Sequence, residues 1–318
     1  RGYSTIIDGL VRDIGPTNIH LNATVTSVDH SDLHGVIVTT SDGQRWPASY
    51  AVVTVPLGVL KAGHIIFNPP LDTKRAKSIQ QLAMGLYDKL HLQFNSSAAW
   101  GFDHKGGFEY FANGGPDPRG YGFTKDYGKW PGILNQYVFN KEKNILTFFV
   151  SGDFAREMEA LPTQQIVDSA MGVLRVIFPS IPDPIQALFT RWAMDPFSYG
   201  SYSHLPPGAT AKTMDALLGT ESHLLLAGEH CTHHRFAQTT GAWETGLSAA
   251  HAIHALDAGE VTVEGVATYR TEEHTANSKR WGAYMGAKTV DNGLWGRKRG
   301  GKAWASALSA AQHTEEVE

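Results

Sequence analysis

Short apolar runs separated by turn residues dominate the first 66 residues of the chain. Tyr3 to Ile14 carries apolar residues at helical spacing and stops at Gly15-Pro16, so the pattern predicts a helix there. The same pattern predicts short strands at residues 19–21, 23–28, 35–40 and 50–55. Such rapid alternation of helix and strand signals indicates an α/β fold.

The pattern changes after residue 66 and returns to its first form near Leu224. Residues 89–94 alternate as a half-buried strand whose apolar face carries Leu90, Leu92 and Phe94. Further helices are predicted at residues 73–82, 155–160 and 163–178, further strands at 132–140, 145–151 and 187–192, and a loop at 101–129. We therefore expect one domain inserted into another. The inserted domain is 67–190, and the flanking parts are 1–66 and 191–256.

Residues 257–318 form a C-terminal extension of different composition. Arg270 to Trp281 is polar, and residues 296–302 are basic and rich in glycine. We interpret these stretches as a solvated tail rather than a binding arm. The extension nevertheless contains more aromatic residues than a disordered tail would, so we expect it to pack on a partner chain. These aromatic residues are Trp281, Tyr284, Trp295 and Trp304.

The overall composition is that of a globular protein. The 318 residues are 42% hydrophobic and 18% charged, enough to bury a core, and a net charge of −4 argues against a general nucleic-acid binder. The single cysteine, Cys231, excludes an intrachain disulfide. No apolar run reaches the roughly 20 residues of a membrane span. We expect a soluble protein, with the cytoplasm as the favoured location.

The segment from Leu224 to Gly246 is the first candidate for chemistry. Three leucines form a short buried strand, Gly228-Glu229 ends it, and Thr239 opens a helix of small residues. Glycine allows the backbone to approach a ligand closely, and a helix N-terminus favours negative or electron-rich groups. The segment therefore predicts a nucleotide-cofactor site.

Three other segments have distinctive sequences. Thr54 to Lys61 reads TVPLGVLK and is followed by a Pro-Pro-Leu. Leu82 to Phe94 contains Gly-x-x-x-Lys, and Arg191 to Gly208 contains RWAMDPFSYGSYS. Taken alone, these segments are a structural turn, an amphipathic strand with an exposed lysine, and an aromatic part of the core. Together with residues 224–246 they resemble the flavin-dependent amine oxidases, a family that includes polyamine, monoamine and L-amino-acid oxidases and lysine-specific histone demethylases.

The resemblance extends from about Arg1 to Ile253 and implies part of a two-domain fold. One domain would be a Rossmann-like FAD domain, and the other a mixed-sheet substrate domain. The family's N-terminal Gly-x-Gly-x-x-Gly motif, which binds the ADP part of FAD, does not occur in this sequence. We therefore expect a second polypeptide, separately encoded or produced by a proteolytic cut, to carry that half.

The resemblance implies roles for individual residues. Lys89 would hold a water against N5 of the flavin and orient O2, and Tyr202 would form one wall of an aromatic substrate cage. These two residues are the candidate catalytic groups. The residues implied to bind the cofactor are Val25, Pro56, Trp192, Phe197, Gly228, Glu229, Gln238 and Thr239.

Two positions depart from the family pattern and affect the interpretation. Ser201 stands where monoamine oxidases carry the cysteine bonded to FAD, so we expect FAD to be held non-covalently. Gln238 stands where several members carry the second cage tyrosine, and glutamine cannot form a π wall, so the cage is expected to be half built. His230, His233 and His234 have no spacing typical of a metal site, and we expect no metal.

The implied reaction is oxidation of an amine C–N bond to an imine, with O2 as acceptor and H2O2 as product. The imine hydrolyses to an aldehyde or keto product and an amine or ammonia. We favour a polyamine or other amine as the substrate. The alternatives are an L-amino-acid oxidase subunit matured by proteolysis, and a non-catalytic scaffold subunit of a flavoenzyme. A histone demethylase is less favoured, because nothing in the sequence indicates a chromatin-binding arm.

Overall fold

A computed structural model of the chain describes residues 2–95, 137–140 and 142–276. The strands are β1 (Val25–Asp29), β2 (Val36–Thr40), β3 (Arg45–Ala48), β4 (Ala51–Val53), β5 (Ile66–Asn68), β6 (Ala83–Gly85), β7 (Tyr87–Gln93), β8 (Tyr137–Asn140), β9 (Ile145–Ser151), β10 (Gln186–Phe189), β11 (Tyr202–His204), β12 (Thr220–Glu221) and β13 (Leu224–Leu226). The α-helices are α1 (Ser4–Ile14), α2 (Leu57–Ala62), α3 (Thr73–Gln81), α4 (Gly152–Glu159), α5 (Thr163–Ile177), α6 (Ala211–Asp215), α7 (Thr239–Asp257) and α8 (266–276).

The described strands form separate sheets of mixed and antiparallel type. One has the order β3-β2-β1-β5, in which β1 pairs antiparallel with β2 and parallel with β5. A second, β12-β13-β4, pairs β13 parallel with β4 and antiparallel with β12. A third, β10-β7-β9-β8, is antiparallel throughout, and β11 pairs with β6 alone. The predicted α/β class is confirmed.

The antiparallel sheet β10-β7-β9-β8 carries the largest hydrophobic core. Leu90, Leu92 and Phe94 are buried on one face, as the alternating pattern predicts, and β9 contributes Leu146 and Phe148. Helices α4 and α5 add apolar side chains to the same core. The opposite face of β7 is only partly covered, and its side chains are therefore available to line a site.

The predicted buried strand near residue 224 is β13, in the centre of its sheet. Leu224, Leu225 and Leu226 are fully buried. Helix α7 packs its small residues Ala249 and Ala252 against the same core. Buried apolar residues on both faces are what a central, parallel-paired strand requires.

Some predicted elements differ from the structure. No strand forms at 19–21, because Pro16–Asn18 forms a 3-10 helix and the chain then turns. Leu57–Ala62, predicted as a turn, is the short helix α2, and Pro56 at its N-cap has no N–H with which the preceding strand could continue. Residues 101–129 and the beginning of the predicted strand 132–140 lie outside the described residues.

The first part of the predicted C-terminal extension packs on its own chain. In α8, Val266 and Arg270 are fully buried and His274 is nearly so. The interpretation of a solvated segment beginning at Arg270 is therefore wrong for that residue. Residues 1–274 form one compact unit and 275–318 a second, which lies almost wholly outside the described residues. The finer division at residues 66, 190 and 256 and the packing on a partner chain stay predictions.

Arg270 links α8 to the sheet β12-β13-β4 and to α7. Its guanidinium donates to the carbonyls of Leu218 at 2.9 Å, Leu226 at 3.0 Å and Thr245 at 3.1 Å, and to the hydroxyl of Ser248 at 3.2 Å. Burial lowers the pKa of Arg270 to about 10, so the side chain stays charged at neutral pH.

We predict that Arg270→Met lowers the free energy of unfolding by at least about 2 kcal/mol, because three buried carbonyls lose a charged donor. Urea denaturation of the two proteins would measure the difference. Arg45→Met, at an exposed position on β3, is the matched control and should change stability by less than about 0.5 kcal/mol. Equal effects of the two substitutions would contradict the role given to Arg270.

Candidate active site

A cavity of about 220 Å³ lies where several of the sequence motifs meet. Of the residues predicted from the sequence, Pro56, Lys89, Trp192 and Tyr202 line it. The structure adds lining residues that were not predicted as site residues, namely Met84, Tyr87, Ser198, Gly200 and Ser201. Four predicted site residues that are far apart in sequence thus share one cavity.

Two glycines allow these segments to approach each other. A Cβ on Gly58 would lie 2.2 Å from Ser198 O, and a Cβ on Gly200 would lie 2.4 Å from Met84 Cγ. Gly200 also has φ +135°, a conformation that side chains disfavour. The Val-Pro-Leu-Gly and Ser-Tyr-Gly-Ser motifs therefore contact each other, which explains the small residues in both.

Lys89 projects from the half-covered face of β7. Its backbone N–H donates to Thr190 Oγ1 at 2.8 Å, which fixes the strand against the segment after β10. Within the described part of the chain no carboxylate forms an ion pair with its ammonium. His91 lies two positions further along the same face of β7. Burial and the charge of Lys89 lower the pKa of His91. Lys89 is thus the one charged side chain among the described cavity residues.

Tyr87 is the aromatic residue among the cavity residues that the sequence analysis does not predict. Its ring centroid lies 6.2 Å from that of Tyr202, and it stacks on Phe149 at 5.4 Å. The Ser201 hydroxyl accepts from the Tyr87 N–H at 2.8 Å and donates to the Tyr87 carbonyl at 3.1 Å. The alternation of β7 puts Tyr87 on the same face as Lys89, and that periodicity was the signal that could have identified it.

Glu229 is held by contacts within the chain. Its carboxylate accepts from the backbone N–H of Ser203 at 2.9 Å, from the Ser203 hydroxyl at 2.7 Å and from the N–H of Ala237. Ser203 follows Tyr202 directly, so this carboxylate fixes the strand that carries an aromatic wall of the cavity. Glu229 also links that strand to the loop that leads into α7.

The start of α7 is open to a ligand. Gln238 occupies the N-cap and makes no capping bond with its side chain, and Gln238 and Thr239 are exposed. Gly228, at φ +149°, is clipped to this helix by the Thr245 hydroxyl, which contacts the Gly228 N–H at 2.9 Å and its carbonyl at 3.0 Å. The geometry leaves N–H groups of the first turn available.

The remaining predicted residues lie outside the cavity wall. Val25 begins β1, where it pairs with Thr40, and Phe197 is 63% exposed. Neither residue lines the cavity. Their predicted contacts with the cofactor stay predictions.

The histidines near this loop and Cys231 are buried or contact other side chains of the protein. His230 is buried under Gly228, and burial lowers its pKa to about 4. His233 contacts the carboxylate of Asp215 at 2.7 Å. Burial raises the pKa of Cys231 to about 12, so it stays a thiol rather than a nucleophilic thiolate.

A comparison with protein families assigns the chain to one family. The model of the family described as flavin containing amine oxidoreductase matches residues 1–254. The chain belongs to this family of oxidoreductases, and the resemblance inferred from the motifs is confirmed. The family is flavin-containing, which implies a flavin cofactor.

Individual relatives include oxidases and demethylases. The chain is 31% identical to polyamine oxidase 4 of Oryza sativa subsp. japonica over 249 residues, which are 78% of this chain and 47% of that protein. It is 32% identical to lysine-specific histone demethylase 2 of Homo sapiens over 260 residues, which are 80% of this chain and 30% of that protein. It is 31% identical to polyamine oxidase 1 of Zea mays over 266 residues, which are 80% of this chain and 50% of that protein. The chain spans half or less of the length of these curated relatives.

In the part of the chain that the structure describes, none of the helices has the length and apolar character needed to cross a bilayer.

We predict that Gly200→Ala lowers the free energy of unfolding by about 2 kcal/mol and narrows the cavity, because the added methyl group meets Met84 in a backbone conformation that alanine disfavours. Thermal or urea denaturation would measure the loss. Gly172→Ala, in α5 with open space around it, is the matched control and should be neutral or slightly stabilising. An unchanged stability of Gly200→Ala would show that the close approach is not required.

Proposed function

We propose that this chain forms the amine-oxidising side of an FAD-dependent amine oxidase. The observation that carries the proposal is the convergence of Pro56, Lys89, Trp192 and Tyr202 on one cavity in a chain that belongs to the flavin-containing amine oxidoreductases. The reaction is oxidation of an amine C–N bond to an imine, followed by hydrolysis. O2 is the electron acceptor and H2O2 the reduced product.

The described residues fit a flavin. The open N-terminus of α7 presents N–H groups and the positive end of a helix dipole, which suit an electron-rich ring edge. Trp192 and Tyr202, each 39% exposed, provide flat apolar surface in the cavity wall. Pro56, Gly228, Glu229, Gln238 and Thr239 complete the set of residues proposed to hold the group. When bound, the flavin accepts the hydride from the amine and passes the electrons to O2.

FAD is proposed to be bound without a covalent link. The Ser201 hydroxyl is engaged with the backbone of Tyr87, and serine cannot form the thioether that a cysteine would. We further propose that the ADP end of FAD is bound by a Gly-x-Gly-x-x-Gly segment outside these 318 residues, on the same or a second polypeptide. Activity would then require that segment.

The substrate is proposed to be a polyamine or another amine. Tyr87, Trp192 and Tyr202 surround the cavity, so Tyr87 supplies the second aromatic wall that Gln238 cannot. Aromatic faces guide the alkyl chain of an amine. The ammonium of Lys89 disfavours a second cation nearby, so the amine that reacts enters as the neutral base.

Lys89 is proposed to act on oxygen rather than on the amine. An ammonium without a described carboxylate partner can hold a water and stabilise the negative charge that develops on O2 as it is reduced. Proton removal from the substrate needs no dedicated base when the amine binds neutral.

The direct test is to purify the native assembly, record its flavin spectrum and follow peroxide release. The panel consists of spermidine, benzylamine and a set of L-amino acids. We expect spermidine to give the highest kcat/KM. Preferential oxidation of L-amino acids would favour the alternative substrate class, and a flavin-free assembly would favour a non-catalytic scaffold.

We predict that Lys89→Met slows flavin reoxidation by about 100-fold, the scale expected for loss of one preorganised charge, and leaves flavin reduction within a few-fold. Stopped-flow absorbance would follow the two half-reactions separately. Lys77→Met, at an exposed position on α3, is the control and should change neither. A larger effect on reduction than on reoxidation would show that Lys89 acts on the amine.

A further inference from the structure

A buried pair of carboxyl groups lies behind the cavity wall, on the core side of β7. Asp88 is 0% exposed, and Glu159, the last residue of α4, is 3% exposed. They accept the N–H groups of consecutive residues, Trp192 for Asp88 and residues 193 and 194 for Glu159, and Asp88 contributes to the raised pKa of Glu159. A hydrogen bond between the two acids requires a proton on one of them, because ionised carboxylates only accept hydrogen bonds.

The pair holds the chain segment that carries the Trp192 wall. Asp88 Oδ1 accepts from the Thr190 hydroxyl at 2.7 Å and from the Trp192 N–H at 3.3 Å. The two oxygens of Glu159 accept the N–H groups of residues 193 and 194 at 2.8 Å and 3.0 Å. The two acids thus accept hydrogen bonds from four residues of the segment 190–194.

The second oxygen of Asp88 shows why the proton matters. Asp88 Oδ2 is buried and accepts from no donor among the described residues. Both Glu159 oxygens already accept N–H groups, so a proton between the two acids satisfies Asp88 Oδ2 and removes one negative charge. Without that proton two buried carboxylates would face each other, which is strongly unfavourable.

No described cation neutralises the pair by direct contact. The guanidinium of Arg191 donates instead to the carbonyls of Glu159 and Leu161 and to Thr163 Oγ1. Lys89 lies on the other face of β7. The neighbouring strands β9 and β10 contain no titratable side chain. The other charged residues of α4 are exposed, and these are Asp153, Arg156 and Glu157.

We infer that Asp88 and Glu159 are positioning residues that share one proton and hold the Trp192 wall in register with Lys89. Thr190 connects the two sides, since its hydroxyl donates to Asp88 and accepts from the Lys89 N–H. Loss of the proton loosens segment 190–194 and moves Trp192. The effect of this movement on catalysis rests on the proposed function, whereas the movement of Trp192 does not depend on that proposal.

The titration range is set by the surroundings of the pair. Burial, together with the hydrogen bond and charge of Asp88, raises the pKa of Glu159 from 4.5 to about 7. The folded chain therefore binds this proton more tightly than the unfolded chain does. Stability contributed by the pair is complete below pH 4.5 and falls as the pH rises to about 7.

The test is fluorine NMR of the full chain labelled with 5-fluorotryptophan, with Trp192→Phe used to assign the Trp192 resonance. In the wild type we expect this resonance to shift with a midpoint near pH 7. In Asp88→Asn the amide donates permanently to Glu159, so the resonance should stay at its low-pH position. Glu157→Gln makes a similar change at an exposed position of α4 and should leave the transition intact. A wild-type resonance independent of pH, or an unchanged transition in Asp88→Asn, would overturn the inference.

A second variant separates positioning from folding. Glu159→Gln removes an acceptor for one backbone N–H of residues 193–194, so we expect the Trp192 resonance to broaden or shift at every pH. If that variant fails to fold, Asp88→Asn still decides the question. In the flavin-loaded enzyme, Asp88→Asn should also remove the same transition from the pH profile of amine oxidation. If the wild type oxidises no amine, the proposed function fails, while the NMR result still tests the proton-sharing pair.

Discussion

The cavity depends on a steric constraint, the absence of side chains where separate backbone segments cross. At Gly58 and Gly200 an added Cβ would approach neighbouring atoms to 2.2 and 2.4 Å, closer than carbon atoms can pack. Only glycine lets the start of α2, strand β6 and the segment before β11 come together. Pro56, Trp192 and Tyr202 lie on or next to these segments, so the spacing of the cavity walls depends on the close contacts of Gly58 with backbone and of Gly200 with Met84 and the Gly85 carbonyl.

The two faces of strand β7 have different surroundings. On one face Leu90 and Leu92 bury themselves in the core, and on the other Tyr87 and Lys89 line the cavity. Asp88 is the exception on the core face, since a carboxyl group there must find polar partners. Those partners lie in the segment that carries Trp192, and the polar residue in an apolar row therefore links the core to the site.

Local patterns predicted most elements because they depend on neighbouring residues. The alternation of 89–94 and the leucines of β13 predict strands that the structure contains, whereas the six residues of α2 show too little periodicity to predict a helix. The polar sequence around Arg270 does not predict its burial, since its four acceptors come from distant parts of the chain. In the site, motif resemblance pointed to Lys89 and Tyr202. The alternation of β7 places Tyr87 on the same face as Lys89, whereas the Asp88–Glu159 pair depends on contacts across strands and helices, which no local pattern reveals.

The central claim is that a flavin lies against this cavity and the start of α7. Hydrogen–deuterium exchange of the flavin-loaded protein, compared with the same protein after flavin removal, tests it most directly. Exchange should slow in peptides covering residues 54–61, 84–89, 192–202 and 228–241. Peptides that line the separate cavity of about 320 Å³ beside α5 should show no change in exchange. Protection around α5, or equal exchange in the two samples, would contradict the placement of the cofactor.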